Sequence, residues 1–408
     1  MSVNQSNQSG VLKRWLQAIV PGIITAAVVF GPSKMTITSK MGAEYGNSLL
    51  WVIVVPILFM AVYTAMAARI GRASSQSLLT LVRRKWGRLA AWIIGGGVFL
   101  VTTSFQAGNA VGAGIAMAEL THTPVAIWIV FFSAASIALL FFNAFYRVLE
   151  KVMVAIIVLM LMSFIATCAV VKPQFSMILE GLKPAIPVGS LPLIIAFMAS
   201  AFSLVGALYQ SYLVQEKART LKLDNRSVED KSLTGILLLG VMSACVMVCA
   251  ASVLYPQDLR IESAADMGRS LEPLFGNFAT GLFLVGLLGA AVSSLIGNAT
   301  VGGTLLNDAL GKGARMDTKG VKIYIALVMI AGASIALLFG KLPLELIVFA
   351  QRVTIFIVPA IGVAIYAVGN DRSIMGDLVN GQWSRVMGLL GLLLVFLLAI
   401  VNFRQLFF

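Results

Sequence analysis

Long apolar runs, each closed by a short polar or basic stretch, recur along the whole chain. A run of about 20 apolar residues is long enough to cross a bilayer as a helix. Eleven such spans are predicted, over 15–45, 47–68, 89–119, 124–145, 149–171, 188–213, 232–255, 276–306, 320–340, 343–368 and 386–406. The fold class expected is an all-α polytopic membrane protein forming one transmembrane domain over 1–408. Residues 1–14 read as a cytoplasmic tail; no cleavage pattern follows them, so they do not read as a signal peptide.

Composition agrees, since 59% of the 408 residues are hydrophobic and 12% charged, an apolar balance that a soluble domain of this size does not carry. The net charge of +13 belongs to topology rather than to nucleic acid, because no soluble stretch is long enough to hold a basic domain. Lys and Arg gather in alternate loops, at Arg69 to Arg88, Lys217 to Lys231 and Lys312 to Lys322. The positive-inside rule then places the N-terminus in the cytoplasm and, after eleven spans, the C-terminus outside. Expected localisation is the bacterial inner (plasma) membrane, with the lipid bilayer as a partner.

Lys34 and Arg352 fall inside spans, whereas Glu44, Glu119, Glu150, Glu216, Asp308 and Glu345 sit at or beyond span ends. The membrane interior is therefore expected to be cationic. A charge near the bilayer centre costs about 3 kcal/mol on insertion scales and survives mainly where protein or water surrounds it. Two readings of Lys34 stand: a site residue, or a lysine whose stem carries its ammonium to the interface. Arg352 likewise either lines the pathway or caps carbonyls freed by Pro359.

Two spans are interrupted. Gly31-Pro32-Ser33-Lys34 breaks the first, where proline removes a donor and disfavours helix at the residue before it. Ala199 to Gly206 in the sixth is a small, hydroxyl-bearing patch containing Ser200 and Ser203. Small residues also serve close helix packing. If spans 1–5 and 6–10 are inverted repeats, however, the two breaks occupy matched positions, which points to a transporter binding site near the midplane.

Pro21-Gly22, Gly31-Pro32, Gly46 and Leu49-Leu50-Trp51 resemble the first span of the Nramp metal-ion transporters. Ala110-Val111-Gly112-Ala113-Gly114-Ile115-Ala116, Leu149-Glu150-Lys151-Val152, Ser211-Tyr212-Leu213-Val214-Gln215 and Ser293-Ser294-Leu295-Ile296-Gly297 continue the resemblance. It implies a LeuT-type fold working by alternating access: a first repeat over 15–171, a second over 188–368 and an extra helix over 386–406.

The family holds its metal with a span-one Asp-Pro-Gly-Asn motif and a span-six methionine preceding Pro-His. Here the first motif reads Gly31, Pro32, Ser33, Lys34; the methionine position is Ser203, its neighbours are Leu204 and Val205, and the second histidine is Gln210. The span-three acids of the family's proton pathway correspond to Gln106 and Asn109, neutral amides. A divalent cation about 4 Å from an ammonium is repelled by about 8 kcal/mol at an effective dielectric of about 20. The leading expectation is therefore a secondary transporter, a symporter if proton-coupled, for a small organic anion such as a monocarboxylate or a lactam acid like 5-oxoproline. Gly31, Pro32, Ser33, Lys34, Ser200, Ser203, Gln106, Asn109 and Arg352 would bind the substrate, with Lys34 and Gln210 as coupling candidates. The alternative is a divalent metal (Mg or Mn) transporter with relocated ligands, using Asn298, Asn109, Gln106 and carbonyls. A receptor or scaffold that keeps only the fold is disfavoured by the lack of a large soluble domain.

No resident metal or cofactor is expected. Cys168, Cys245 and Cys249 read as packing residues, His122 as a surface residue, and Gly311-Lys312-Gly313 lacks the rest of a phosphate loop. Nothing resembles a catalytic triad, so no enzyme is expected.

Overall fold

The structure, a computed structural model, describes residues 30–141, 143–230, 232–315, 318–338 and 343–408. The tail 1–14 and the early part of the first span, 15–29, lie outside the described residues. Helices account for every long element: α1 (Pro32–Tyr45), α2 (Trp51–Ala73), α3 (Leu78–Thr121), α4 (Val125–Leu139), α5 (Asn143–Val171), α6 (Phe175–Gly181), α7 (Leu191–Ala201), α8 (Leu204–Leu221) and α9 (Ser232–Val253). There follow α10 (Ala264–Gly268), α11 (Glu272–Phe275), α12 (Ala279–Ala309), α13 (Lys319–Leu338), α14 (Pro343–Thr354), α15 (Val358–Gly369), α16 (Arg372–Met375) and α17 (Gln382–Phe407). Among the described residues, eight helical stretches are long and apolar enough to cross a membrane.

Three elements depart from the boundaries expected. Helix α3 starts at Leu78 rather than 89, because Ser77 caps it by accepting from Thr80 N, and Gly87 then kinks it. Gly87 sits at φ 86°, a left-handed conformation that glycine adopts without a Cβ penalty. The sixth span runs on to Leu221 as two half-helices, α7 and α8, and the tenth divides at 355–357 into α14 and α15. The stretch between α9 and α12 carries a short helix, α10, which opens with a Ser263–Asp266 capping box.

The scaffold is built on α3 and α12, which run antiparallel. A Cβ on Gly95 would fall 2.1 Å from Ala309 Cβ, and one on Gly302 would fall 2.2 Å from Thr102 Oγ1. As the α3 number rises the α12 number falls, and small residues at these crossings let the backbones approach closely. Helix α1 rests on the same α3: the Pro32 ring covers Gly112, and Ser33 Oγ lies against Gly108. On its other side α1 packs on α9, and α8 packs on α2.

The cysteines do act as packing groups: Cys168 and Cys249 meet across α5 and α9, and all three thiols are free. His122 is exposed and ends α3 in a left-handed turn. On the basic face, Lys85 pairs with Asp371. Hydrogen bonds from Lys85 and then from Ser373 hold the Asp371 carboxyl down at about 2.

Candidate functional site

The interruption in the sixth span is a break in the backbone, and in the first span the chain is non-helical at Gly31, where α1 begins. Gly31 is extended (φ −81°, ψ 179°), as the residue before a proline tends to be, and Pro32 opens α1 where its missing N–H costs no hydrogen bond. Gly31 O accepts from Lys34 N and Met35 N at 3.1 and 3.2 Å, closing the first turn. In the sixth span, Phe202 (ψ 62°) and Ser203 (ψ 79°) leave the helical region between α7 and α8. Ser203 Oγ accepts from Gly206 N at 3.3 Å and so caps α8.

These breaks face one cavity of about 670 Å³. Of the expected site residues, Gly31, Ser33, Lys34, Asn109, Ser200, Ser203 and Gln210 line it. Lys34 is 7% exposed and belongs to this cavity rather than reaching for the interface. The space of an aspartate side chain at position 31 is already filled: a Cβ there would lie 2.7 Å from Ser294 Oγ and 3.1 Å from Asn109 Oδ1.

The other expected residues stand elsewhere. Pro32 does not line the cavity; its ring is spent on Gly112. Gln106 is fully buried behind the wall, where its Oε1 accepts from Asn298 Nδ2 at 3.2 Å and its Nε2 has no partner among the described residues. Asn298, which does line the cavity, also donates to Thr102 O at 2.7 Å. Arg352 is outside this cavity: its Nε donates to Asn402 Oδ1 and its Nη2 to Gln405 Oε1, both at 3.0 Å, which ties it to α17. The physical reason is helical periodicity. Its neighbour Gln351 turns into the cavity, so Arg352, about 100° round the helix, turns away.

Gln351 was not anticipated. It is 1% exposed, and neither its Oε1 nor its Nε2 has a partner among the described residues. Ser33 Oγ and Thr64 Oγ1 are in the same state on the same lining. A buried amide left unpaired costs about 1–3 kcal/mol, so these atoms are poised to bond something that enters. Ser294 with Asn298 was also legible as a polar pair four residues apart in an apolar helix. Gln210 Nε2 donates to Asp230 Oδ1 at 3.0 Å, which occupies its amide.

The cavity runs from the breaks to Leu139, Leu213, Ser232 and Lys322. Leu139, Ser232 and Lys322 lie at helix ends next to the basic loops, the side expected to be cytoplasmic. Lys322 thus places a second ammonium near the mouth, with its Nζ 5.4 Å from the Phe141 ring centroid. Among the described residues no Asp or Glu lines the cavity, and no group of three or more His, Cys, Asp or Glu could hold a metal ion.

Asn298→Ala should remove the one donor that Gln106 Oε1 has among the described residues and orphan that buried carbonyl. We expect a loss of about 1–3 kcal/mol, read as a lower midpoint of thermal unfolding in detergent.

Comparison with known proteins places this geometry. The chain matches the natural resistance-associated macrophage protein-like family over residues 22–405. It is 24% identical to the divalent metal cation transporter MntH of Deinococcus radiodurans, over 92% of this chain and 87% of that one. It is 25% identical to the MntH of Granulibacter bethesdensis, over 89% and 83%. Among solved structures, the Eremococcus coleocola manganese transporter superposes with a TM-score of 0.74 at 17% identity, covering 96% of this chain and 87% of that one. A nucleobase-cation-symport-1 family transporter in a closed conformation superposes with a TM-score of 0.64 at 14% identity, covering 95% and 92%.

Proposed function

The chain belongs to the natural resistance-associated macrophage protein-like family, and on that premise we propose that this membrane transporter is a secondary transporter working by alternating access, whose cargo is a small organic monocarboxylate. A lactam acid such as 5-oxoproline has suitable size and chemistry. The observation that carries this reading is the lining: Lys34 at the breaks, Lys322 near the mouth, hydroxyls and amides between them, and no carboxylate among the described lining residues. The carboxylate would sit against the Lys34 ammonium and the N-terminal turn of α1, whose dipole adds to the charge. Ser33 and Ser203 supply short donors, Ser200 Oγ already donates to Phe197 O at 3.1 Å and offers only an acceptor, and the Gln351 amide offers both a donor and an acceptor to the rest of the molecule.

A divalent metal cation is the second reading, and a specific observation favours it. The relatives of Deinococcus radiodurans and Granulibacter bethesdensis, matched along most of the chain, are both named divalent metal cation transporters. The comparisons back this cargo and lend none to an organic anion. Against it stands the chemistry of the donors: Asn109 and Asn298 reach the cavity but Gln106 does not, and the repulsion from an ammonium at about 4 Å is about 8 kcal/mol at a dielectric of about 20.

Ligand-induced thermal shifts on the purified protein separate the two. With the carboxylate reading, 5-oxoproline stabilises the protein and Lys34→Ala abolishes the shift, while manganese and magnesium have little effect. Tight manganese or magnesium binding that Lys34→Ala leaves unchanged would sink the carboxylate reading and establish the metal.

A further inference from the structure

A second, smaller cavity of about 260 Å³ lies on the far side of the breaks from the mouth. Its walls are α1, the start of α7 and α14, three helices that pack on one another. Along α1 the change of cavity takes six residues: Lys34 faces the large one, Lys40 and Glu44 the small one, and Met35, Ile37 and Met41 between them are buried. Along α7, Ser200 faces the large cavity and Pro192 and Leu193 the small one, with Ile194 to Ala199 buried between. A buried apolar layer therefore separates the two.

The charged groups of the small cavity are Lys40, Arg352 and Glu44. Arg352 is held there by neutral amides, Asn402 and Gln405, which orient its guanidinium without neutralising it. They occupy Nε and one Nη2 proton, so the end-on pair of Nη donors stays available for the two oxygens of a carboxylate. Lys40 adds a second positive charge. Glu44, one helical turn from Lys40 and also within the field of Arg260, offers a carboxylate that can accept an N–H and that disfavours a second negative charge on a ligand.

We propose that this cavity is a second binding site for a small monocarboxylate that also carries an N–H donor, held at Arg352 and Lys40 through its carboxylate and at Glu44 through its N–H. It would take up cargo on one face of the membrane while the large cavity is open to the other. The inference rests on the carboxylate reading of the large cavity.

Equilibrium binding of radiolabelled 5-oxoproline to the purified full-length chain tests it. We expect two equivalents per chain, falling to one in Arg352→Gln, to one in Lys40→Gln, and to one in Lys34→Gln. Lys40→Gln leaves the Asn402 and Gln405 contacts intact and answers the question if Arg352→Gln fails to fold. One equivalent, lost in Lys34→Gln and indifferent to both other substitutions, overturns this second site and leaves the proposed function standing. Two equivalents that neither Arg352→Gln nor Lys40→Gln reduces also overturn it. Absence of binding overturns the proposed function and this inference together.

Discussion

Replacing Lys34 by glutamine is expected to raise the KM for a monocarboxylate cargo by about tenfold to about a hundredfold in proteoliposome uptake. The size follows from a hydrogen bond to a charged partner, about 1.5–3 kcal/mol, at 1.4 kcal/mol per tenfold. Glutamine keeps a hydrogen-bond donor and all but one methylene of the length, so the charge is the main variable removed. The effect should be larger than that of Lys322→Gln, because Lys322 is only half-buried near the mouth while Lys34 is 7% exposed. Water around Lys322 weakens its field on the cargo, and salt should reduce its contribution further. Should Lys34→Gln transport carboxylates as well as the parent, the ammonium has no part in cargo recognition and the proposed function fails.

The second large effect is structural. Gly42→Ala should destabilise the protein by about 1–3 kcal/mol, the usual cost of overpacking. A Cβ at this position lies 2.3 Å from the carbonyl oxygen of Met247 and 2.9 Å from Ala250 Cβ, so α1 and α9 must separate. The obstructing oxygen is backbone and cannot turn aside as a side chain could. Gly96→Ala is the matched control, since nothing lies within 4 Å of a Cβ there and alanine is the better helix former by about 1 kcal/mol. Thermal unfolding of both variants in the same detergent reads the difference. Equal midpoints would show that α1 and α9 are not held as closely as described. Because α1 carries Lys34, Gly42→Ala should also slow uptake at saturating cargo, an effect that Gly96→Ala lacks.

The spans were legible because the bilayer imposes one length on every crossing helix, and about 20 apolar residues announce it. The breaks were legible for a local reason: Gly31-Pro32 cannot continue a helix, and the Ser200 to Gly206 stretch sets Ser200, Ala201, Ser203 and Gly206 into an otherwise bulky span. Lys34 could be singled out because burying a charge is costly enough that chance rarely leaves one in a span. Its membership of the cavity, along with that of Ser33, Asn109, Ser200 and Ser203, is where sequence and structure agree.

Arg352 and Gln351 show the opposite case. By sequence the arginine is the conspicuous residue, yet the structure turns Gln351 into the large cavity and Arg352 toward Asn402 and Gln405. The rotation of α14 decides this, and that rotation is set by its packing on α3 and α7, neither adjacent to it in the chain. Gln106 fails for the same reason: it lies one turn from Asn109 on α3, but α12 approaches so closely that Asn298 stands in front of it. Thus the apolar periodicity of the chain and its local breaks determined by themselves that this is a many-helix membrane protein with a polar, cationic interruption at its centre. Only the tertiary structure decided which polar side chains share the cavity and which are walled off, because that depends on helix rotations and crossings fixed by contacts between residues hundreds of positions apart.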